Sequence, residues 1–222
     1  PYIPDRFEEG YGLNCVALEQ IHREGAELLV TVDCGIRSPD EVARARELGL
    51  DVILTDHHTV PETLPPALAV VNPKRPDSAY PFRDLAGVGV AYRLAQALAA
   101  ACWMERGKGI YPDEWLDLVA LGTVADVVPL TGENRFLVQQ GLQRLRRSQR
   151  SGVAVRPGVA ALIAAARVSV ETLSSQDIAF RLGPRLNATG RLEHGILAYS
   201  LLTCADADQA QRLAADLERL NA

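Results

Sequence analysis

The sequence predicts an α/β fold, a parallel sheet flanked by helices, with a helix-rich C-terminal half. Three observations carry this. Leu28-Leu29-Val30-Thr31-Val32 and Asp51-Val52-Ile53-Leu54-Thr55 are β-prone runs, too short for helices and apolar enough for strands buried on both faces. A segment with helix start and stop signals lies between them, and strand–helix–strand at this spacing is a βαβ unit with a right-handed crossover. From Leu85 onward the character changes, and helical stretches follow one another.

In order along the chain, Asn14 caps a first helix that reaches Arg23, and Gly25 stops it. The first strand spans 28–32. Ser38 opens a second helix with Pro39 at its first position and Asp40 and Glu41 in its first turn, where the dipole favours acids; Gly49 closes it. Strands at 51–55 and 68–71 follow, and Pro73, Pro76 and Pro81 mark a long surface loop. Gly87-Val88-Gly89 leads into a helix to about residue 104, and Pro112-Asp113-Glu114 starts another that ends near Thr123. Further helices are expected at 134–147, 157–167, 174–182 and 194–202, with Asp206 in the first turn of a last one that meets the chain end.

Composition bounds the function. The 222 residues are 48% hydrophobic and 23% charged, an ordinary globular balance with room for a sizeable core. A net charge of -5 argues against coating nucleic acid by bulk charge but leaves room for a local basic track. The longest apolar stretch, 94–104, falls short of the roughly 18 residues a bilayer span needs, so no membrane association is expected. Pro1-Tyr2-Ile3-Pro4 opens no secretory signal and carries no initiator Met, which suggests a piece of a longer product. Cys15, Cys34, Cys102 and Cys204 form no Cys-x-x-Cys pair, which fits a reducing, cytoplasmic setting.

In a parallel sheet, ligands sit beyond the carboxyl ends of the strands. Two such ends carry unusual residues here: Asp33-Cys34-Gly35 after the first strand and Asp56-His57-His58 after the second. Singly, each reads best as a capping aspartate or a satisfied loop histidine. Together, on neighbouring strand ends, Asp33 and His57 read as a divalent-metal pair. Asp126 sits among Val124, Ala125, Val127 and Val128, an expensive place for a carboxylate unless it is hydrogen-bonded or holds a metal; a solvated turn explains it as well. Arg181, Arg185, Asn187 and Arg191 fall in a glycine-containing stretch that suits phosphate capture, although a helix C-cap with solvated arginines is the commoner use of such a turn. Cys34 beside Asp33 reads as packing rather than a nucleophile. Gly87-Val88-Gly89 is no dinucleotide fingerprint, and no Gly-x-Ser-x-Gly elbow or Walker loop is present.

Asp56-His57-His58 resembles the signature of the DHH phosphoesterase superfamily. Thr31-Val32-Asp33-Cys34-Gly35 and Gly122-Thr123-Val124-Ala125-Asp126-Val127-Val128-Pro129-Leu130 fall where that superfamily places its other acidic motifs. Within it, Glu9-Gly10-Tyr11-Gly12-Leu13-Asn14, Leu85-Ala86-Gly87-Val88-Gly89-Val90-Ala91, Gly132-Glu133-Asn134-Arg135 and 183–191 are similar to the bacterial branch that degrades single-stranded DNA 5′→3′. The resemblance implies hydrolysis of phosphodiesters in recombination and repair with two ions, Mn2+ or Mg2+. Asp33 would bridge them, and His57 with Asp126 would hold the second. His58 would face the scissile phosphate, Asp56 would orient the imidazoles, and Arg185, Asn187 and Arg191 would bind the nucleic-acid backbone. It also implies single-stranded DNA as partner, with a single-strand-binding protein and a helicase as further ones.

Residues 1–203 would then form a DHH domain lacking its N-terminal strand and that strand's Asp-x-Asp metal motif. Residues 204–222 would start a connecting helix to a substrate-binding domain, and the segment alone would be weakly active or inactive. The alternatives are another DHH enzyme (an oligoribonuclease, a cyclic-dinucleotide phosphodiesterase or an inorganic pyrophosphatase) or a non-catalytic nucleic-acid-binding replication scaffold.

Overall fold

In the computed structural model, which describes residues 1–4, 9–106, 111–151, 156–189 and 195–221, β1 (Leu28–Val32), β2 (Asp51–Thr55) and β3 (Ala69–Val71) form a parallel sheet in the order β1-β2-β3. The chain divides into two units. A sheet unit comprises Glu9–Pro112 with Gly132–Asn134, and a helical unit comprises Pro1–Glu8, Asp113–Thr131 and Arg135–Ala222.

In the sheet unit, α1 (Cys15–Arg23) starts where Asn14 Oδ1 accepts the Ala17 N–H at 2.8 Å. α2 (Pro39–Glu47) starts at Pro39, but the Ser38 side chain makes no capping bond; the proline and the acidic first turn set the start instead. Leu18 from α1 and Val42 and Ala45 from α2 pack with Leu50, Val52 and Leu54. Each large side chain buried there contributes about 1.5–3 kcal/mol, and this packing fixes the height of β2.

The expectation that β1 is buried on both faces is wrong. Leu29 and Thr31 share the face of Val52 and Leu54, whereas Leu28, Val30 and Val32 point the other way and are 52%, 42% and 54% exposed. β1 is an edge strand, and strand alternation puts those three on the face that α1 and α2 do not cover. Leu68, expected in β3, is exposed outside it, although its N–H still reaches Val52 O.

α3 (Gly87–Arg106) packs against β1 and β2. The loop before it is tied down by Asn134 in the first turn of α5 (Gly132–Ser151). The buried Asn134 donates from Nδ2 to Asp84 O at 2.6 Å and accepts the Ala86 N–H on Oδ1 at 3.2 Å. Next to it, Glu133 accepts the Tyr80 hydroxyl at 2.7 Å and Arg93 Nε at 2.6 Å.

The helical unit contains α4 (Leu116–Ala125), the remainder of α5, α6 (Pro157–Ala165), α7 (Ser175–Asp177), α8 (Gly183–Thr189), α9 (Gly195–Thr203) and α10 (Ala207–Asn221). Its core gathers Leu145, Leu162, Ile163, Ile178, Leu182 and Leu217. α6 meets α9 backbone to backbone, since a β-carbon on Gly158 would lie 1.7 Å from Leu201 O. α6 ends two residues earlier than expected because Arg167 turns to φ +54 and its guanidinium partner Arg181 takes the Ala166 and Arg167 carbonyls.

The helix expected at 174–182 is capped by Ser174 in a box with Asp177, then widens into a π turn at Ile178–Leu182. Gly183 N–H bonds to Ile178 O there. Pro184 has no N–H to return to Phe180 O, and the wider turn carries the backbone past it. The glycine-containing stretch expected as a turn is therefore α8, a helix through Thr189. Arg191 and the expected helix start at His194 lie outside the described residues.

Candidate metal centre

β1 and β2 end level with each other, Val32 opposite Thr55, so the next residues, Asp33 and Asp56, leave the sheet side by side. Thr55 ties the ends together, its Oγ1 donating to Thr31 O at 2.6 Å and its N–H to Thr31 Oγ1 at 3.3 Å, while Thr31 Oγ1 donates to Cys34 O at 2.8 Å within the β1 end. The pairing runs one step further, with Asp33 N–H on Thr55 O at 2.9 Å and Asp56 N–H on Val71 O at 3.0 Å. Strand pairing thus sets the positions of both motifs.

Asp33 then turns sharply, with φ +65, a left-handed conformation that costs an L-residue roughly 1–2 kcal/mol and that aspartate tolerates better than most. Gly35 follows with φ +99; a β-carbon there would lie 2.8 Å from Leu54 Cδ2. The turn places Asp33 Oδ1 3.0 Å from His57 Nε2. Oδ1 is buried and has no hydrogen-bond partner among the described residues. His57 is buried and His58 is partly open, and one ligand atom from each of Asp33, His57 and His58 lies within 4.8 Å of the others. A buried, unsatisfied carboxylate oxygen costs free energy that a cation removes. A carboxylate with neutral imidazoles is a competent donor set for a divalent ion such as Mn2+. The residues present fit a divalent metal.

Asp56 has a different task. It is 1% exposed. Its Oδ2 accepts the Ile36 N–H at 3.0 Å, and its Oδ1 accepts the His57 and His58 N–H groups at 2.7 and 3.1 Å and faces His58 Nδ1 at 2.7 Å. Burial alone would push this carboxyl up, but the His58 N–H, the His58 imidazole and the Ile36 and His57 N–H groups together hold it below the usual carboxylate range. An ionised Asp56 can only accept, so the Nδ1 of a neutral His58 carries the proton and Nε2 is the acceptor. The expectation that Asp56 orients both imidazoles needs correction: it grips the ring of His58 and meets His57 only at the backbone. Asn72 supports the same loop, donating to His58 O at 3.0 Å.

The Cys34 thiol is pushed up to about 11, first by burial and then by the charges of Asp56 and Asp33. It stays protonated at neutral pH, as its reading as packing requires.

Other expected site residues lie in the helical unit. Asp126 follows α4, its N–H bonded to Gly122 O at 3.0 Å, and it is exposed. The burial that made it stand out in the sequence is absent, because Val127 beside it is exposed as well. Arg185 is 16% exposed and engaged: Nε and Nη2 lie 2.5 and 2.9 Å from the two oxygens of Glu218, and Nη1 donates to Arg181 O. Asn187 is exposed on α8.

Sequence reasoning did not single out Tyr11 as a contact of Asp33. Its hydroxyl donates to Asp33 O at 2.6 Å, and its ring stands edge-on to His58 at 6.3 Å. A bond across 22 residues has no local signature.

Fold and side chains together define an α/β protein with a divalent-metal group at the carboxyl edge of a parallel sheet. Comparison with known proteins narrows this: residues 1–123 match the DHH family, N-terminal domain, and the chain belongs to that family. It is similar to the single-stranded-DNA-specific exonuclease RecJ of Bacillus subtilis, at 46% identity over 99% of this chain and 26% of that protein. It is equally similar to RecJ of Escherichia coli, at 46% identity over 99% of this chain and 38% of that protein. A crystal structure of exonuclease RecJ bound to manganese superposes with a TM-score of 0.83 at 40% identity, over 100% of this chain and 53% of the other. The chain therefore spans only a quarter to two fifths of these curated relatives.

Proposed function

We propose that the chain is part of a metal-dependent phosphodiesterase that degrades single-stranded DNA 5′→3′ in recombination and repair. The observation that carries this is the buried Asp33 Oδ1, without a hydrogen-bond partner among the described residues and 3.0 Å from His57 Nε2 at the sheet's carboxyl edge. The similarity to RecJ exonucleases supports the substrate, and the manganese-bound relative supports the metal.

In this reading Asp33, His57 and Asp126 would hold divalent ions, Mn2+ or Mg2+. Such ions, when bound, activate a water and stabilise the leaving oxygen. His58 faces the scissile phosphate. Asp56 fixes its Nδ1–H, so the ring keeps one orientation and Nε2 accepts a proton or, once protonated, returns it. Arg185, Asn187 and Arg191 bind backbone phosphates; Arg185 must first exchange Glu218 for phosphate.

Residues 1–203 form the DHH domain. Among the described residues β1 pairs only with β2, and its other edge is open to a further strand. Residues 204–222 start the connecting helix; α10 anchors it through Ala210, Ala214 and Leu217. A single-strand-binding protein and a helicase are the expected partners, and the cytoplasm the expected location.

The test is hydrolysis by the longer protein that contains this chain, with Mn2+, of end-labelled single strands, cyclic dinucleotides and pyrophosphate. Mononucleotides released from the 5′ end, and none after His58→Ala, are expected. Preference for pyrophosphate or dinucleotides would replace the reading with another DHH enzyme, and binding without hydrolysis would replace it with a scaffold. The 222-residue chain alone should be weakly active or inactive.

A further inference from the structure

Asp33 is constrained at three points by groups that are not themselves candidate ligands. Its N–H is tied to Thr55 O, its carbonyl receives the Tyr11 hydroxyl at 2.6 Å, and between these bonds the backbone holds φ at +65. Its side chain lies against Gly87 at the start of α3. A β-carbon on Gly87 would lie 2.3 Å from Asp33 Oδ1, 2.7 Å from Cγ and 2.9 Å from Cβ. No real β-carbon tolerates such distances, so any side chain at 87 displaces the carboxylate. Nor can Gly87 readily retreat, because Asn134 clamps Asp84 and Ala86 just before it. The Tyr11 ring also stands edge-on to His58, with 76° between the planes, which links the same residue to the second strand end.

We propose that Tyr11 and Gly87 are positioning residues that set where the Asp33 carboxylate stands, Tyr11 by holding the left-handed turn and Gly87 by leaving the space the carboxylate occupies. This rests on the metal reading above. Neither residue is among the candidate ligands. Outer contacts of this kind typically change metal affinity about 10–100-fold when removed. Tyr11→Phe keeps the ring beside His58 and deletes only the hydroxyl, while Gly87→Ala adds a single methyl.

The experiment is a Mn2+ titration of the 222-residue chain, its Tyr11→Phe and Gly87→Ala variants and an Asp33→Ala control. Electron paramagnetic resonance reads free ion and the line shape of bound ion, and circular dichroism reads folding. Tyr11→Phe is expected to weaken Mn2+ binding about tenfold and to alter the bound-ion line shape, while the protein stays folded with a melting temperature only a few degrees lower. Gly87→Ala is expected to weaken it at least as much; should that variant fail to fold, Tyr11→Phe decides. Wild-type affinity and line shape in folded Tyr11→Phe and Gly87→Ala overturn the positioning roles and leave the metal reading intact. Binding that survives Asp33→Ala, or no binding by the wild type, overturns the metal reading and this proposal with it.

Discussion

Asp56→Asn changes one atom and leaves the shape of the side chain intact, so it isolates what the buried carboxylate does. The amide oxygen replaces Oδ1 and goes on accepting the His57 N–H, the His58 N–H and His58 Nδ1–H. The NH2 group then falls where Oδ2 was, facing the Ile36 N–H at 3.0 Å, and two donors meet in a site 1% exposed. A hydrogen bond to a charged group contributes about 1.5–3 kcal/mol, and an orphaned buried N–H costs about 1–3 kcal/mol. Both figures describe the same broken bond, so the net loss is about 2–3 kcal/mol. That is a large share of an ordinary domain's stability, and in a chain of this size it lowers the melting temperature by roughly 4–12 °C.

The loss depends on pH. The folded carboxyl is held below its unfolded value, so its stabilisation is complete above the unfolded pKa near ~3.9 and disappears as the pH falls through the lower folded pKa. Urea unfolding of wild type and Asp56→Asn, followed by circular dichroism from pH 7 downward, should show a gap that narrows in acid. A variant within about 0.5 kcal/mol of wild type at pH 7, the range of an inert surface change, or a gap that does not narrow, would refute the assignment.

Three further outcomes follow. Gly158→Ala, whose new methyl meets Leu201 O, should destabilise the helical unit at the upper end of overpacking costs, about 3 kcal/mol, as read from its melting temperature. Arg185→Ala removes the ion pair between α8 and α10; because the Glu218 side chain is 43% exposed, the cost should be only about 1 kcal/mol and should shrink in high salt. Cys34 should resist a thiol-specific reagent at pH 7 while the exposed Cys15 is labelled, with reactivity at Cys34 climbing about tenfold per pH unit up to about 11, as peptide mass spectrometry after timed labelling would show.

The strand ends were legible from sequence because the signal is local. Five residues of strand character followed by a polar group occur twice in 31 residues, from Leu28 to His58, and the observed β1 and β2 have the expected bounds. Helix starts carried by their own residues were legible too, as with Asn14 and Pro39. Partnership between distant residues was not legible. Val30 and Val32 look like core, yet which face of β1 is covered depends on where α1 and α2 pack. Arg185 looks available for phosphate, but Glu218, 33 residues later, occupies it. Asp126 looks expensive only if its valine neighbours are buried, and Val127 is not. Tyr11 carries no local mark of its bond to Asp33.

The claim on which the account turns is that Asp33 and His57 hold a divalent cation. The most direct measurement is electron paramagnetic resonance during Mn2+ titration of the wild-type chain, Asp33→Ala and His57→Ala. The account predicts one uncoupled, weakly bound Mn2+ in the wild type and none in either variant. Equal Mn2+ binding by all three proteins would contradict it, and a spin-coupled pair in the wild type would contradict the expectation that this chain alone binds a single ion.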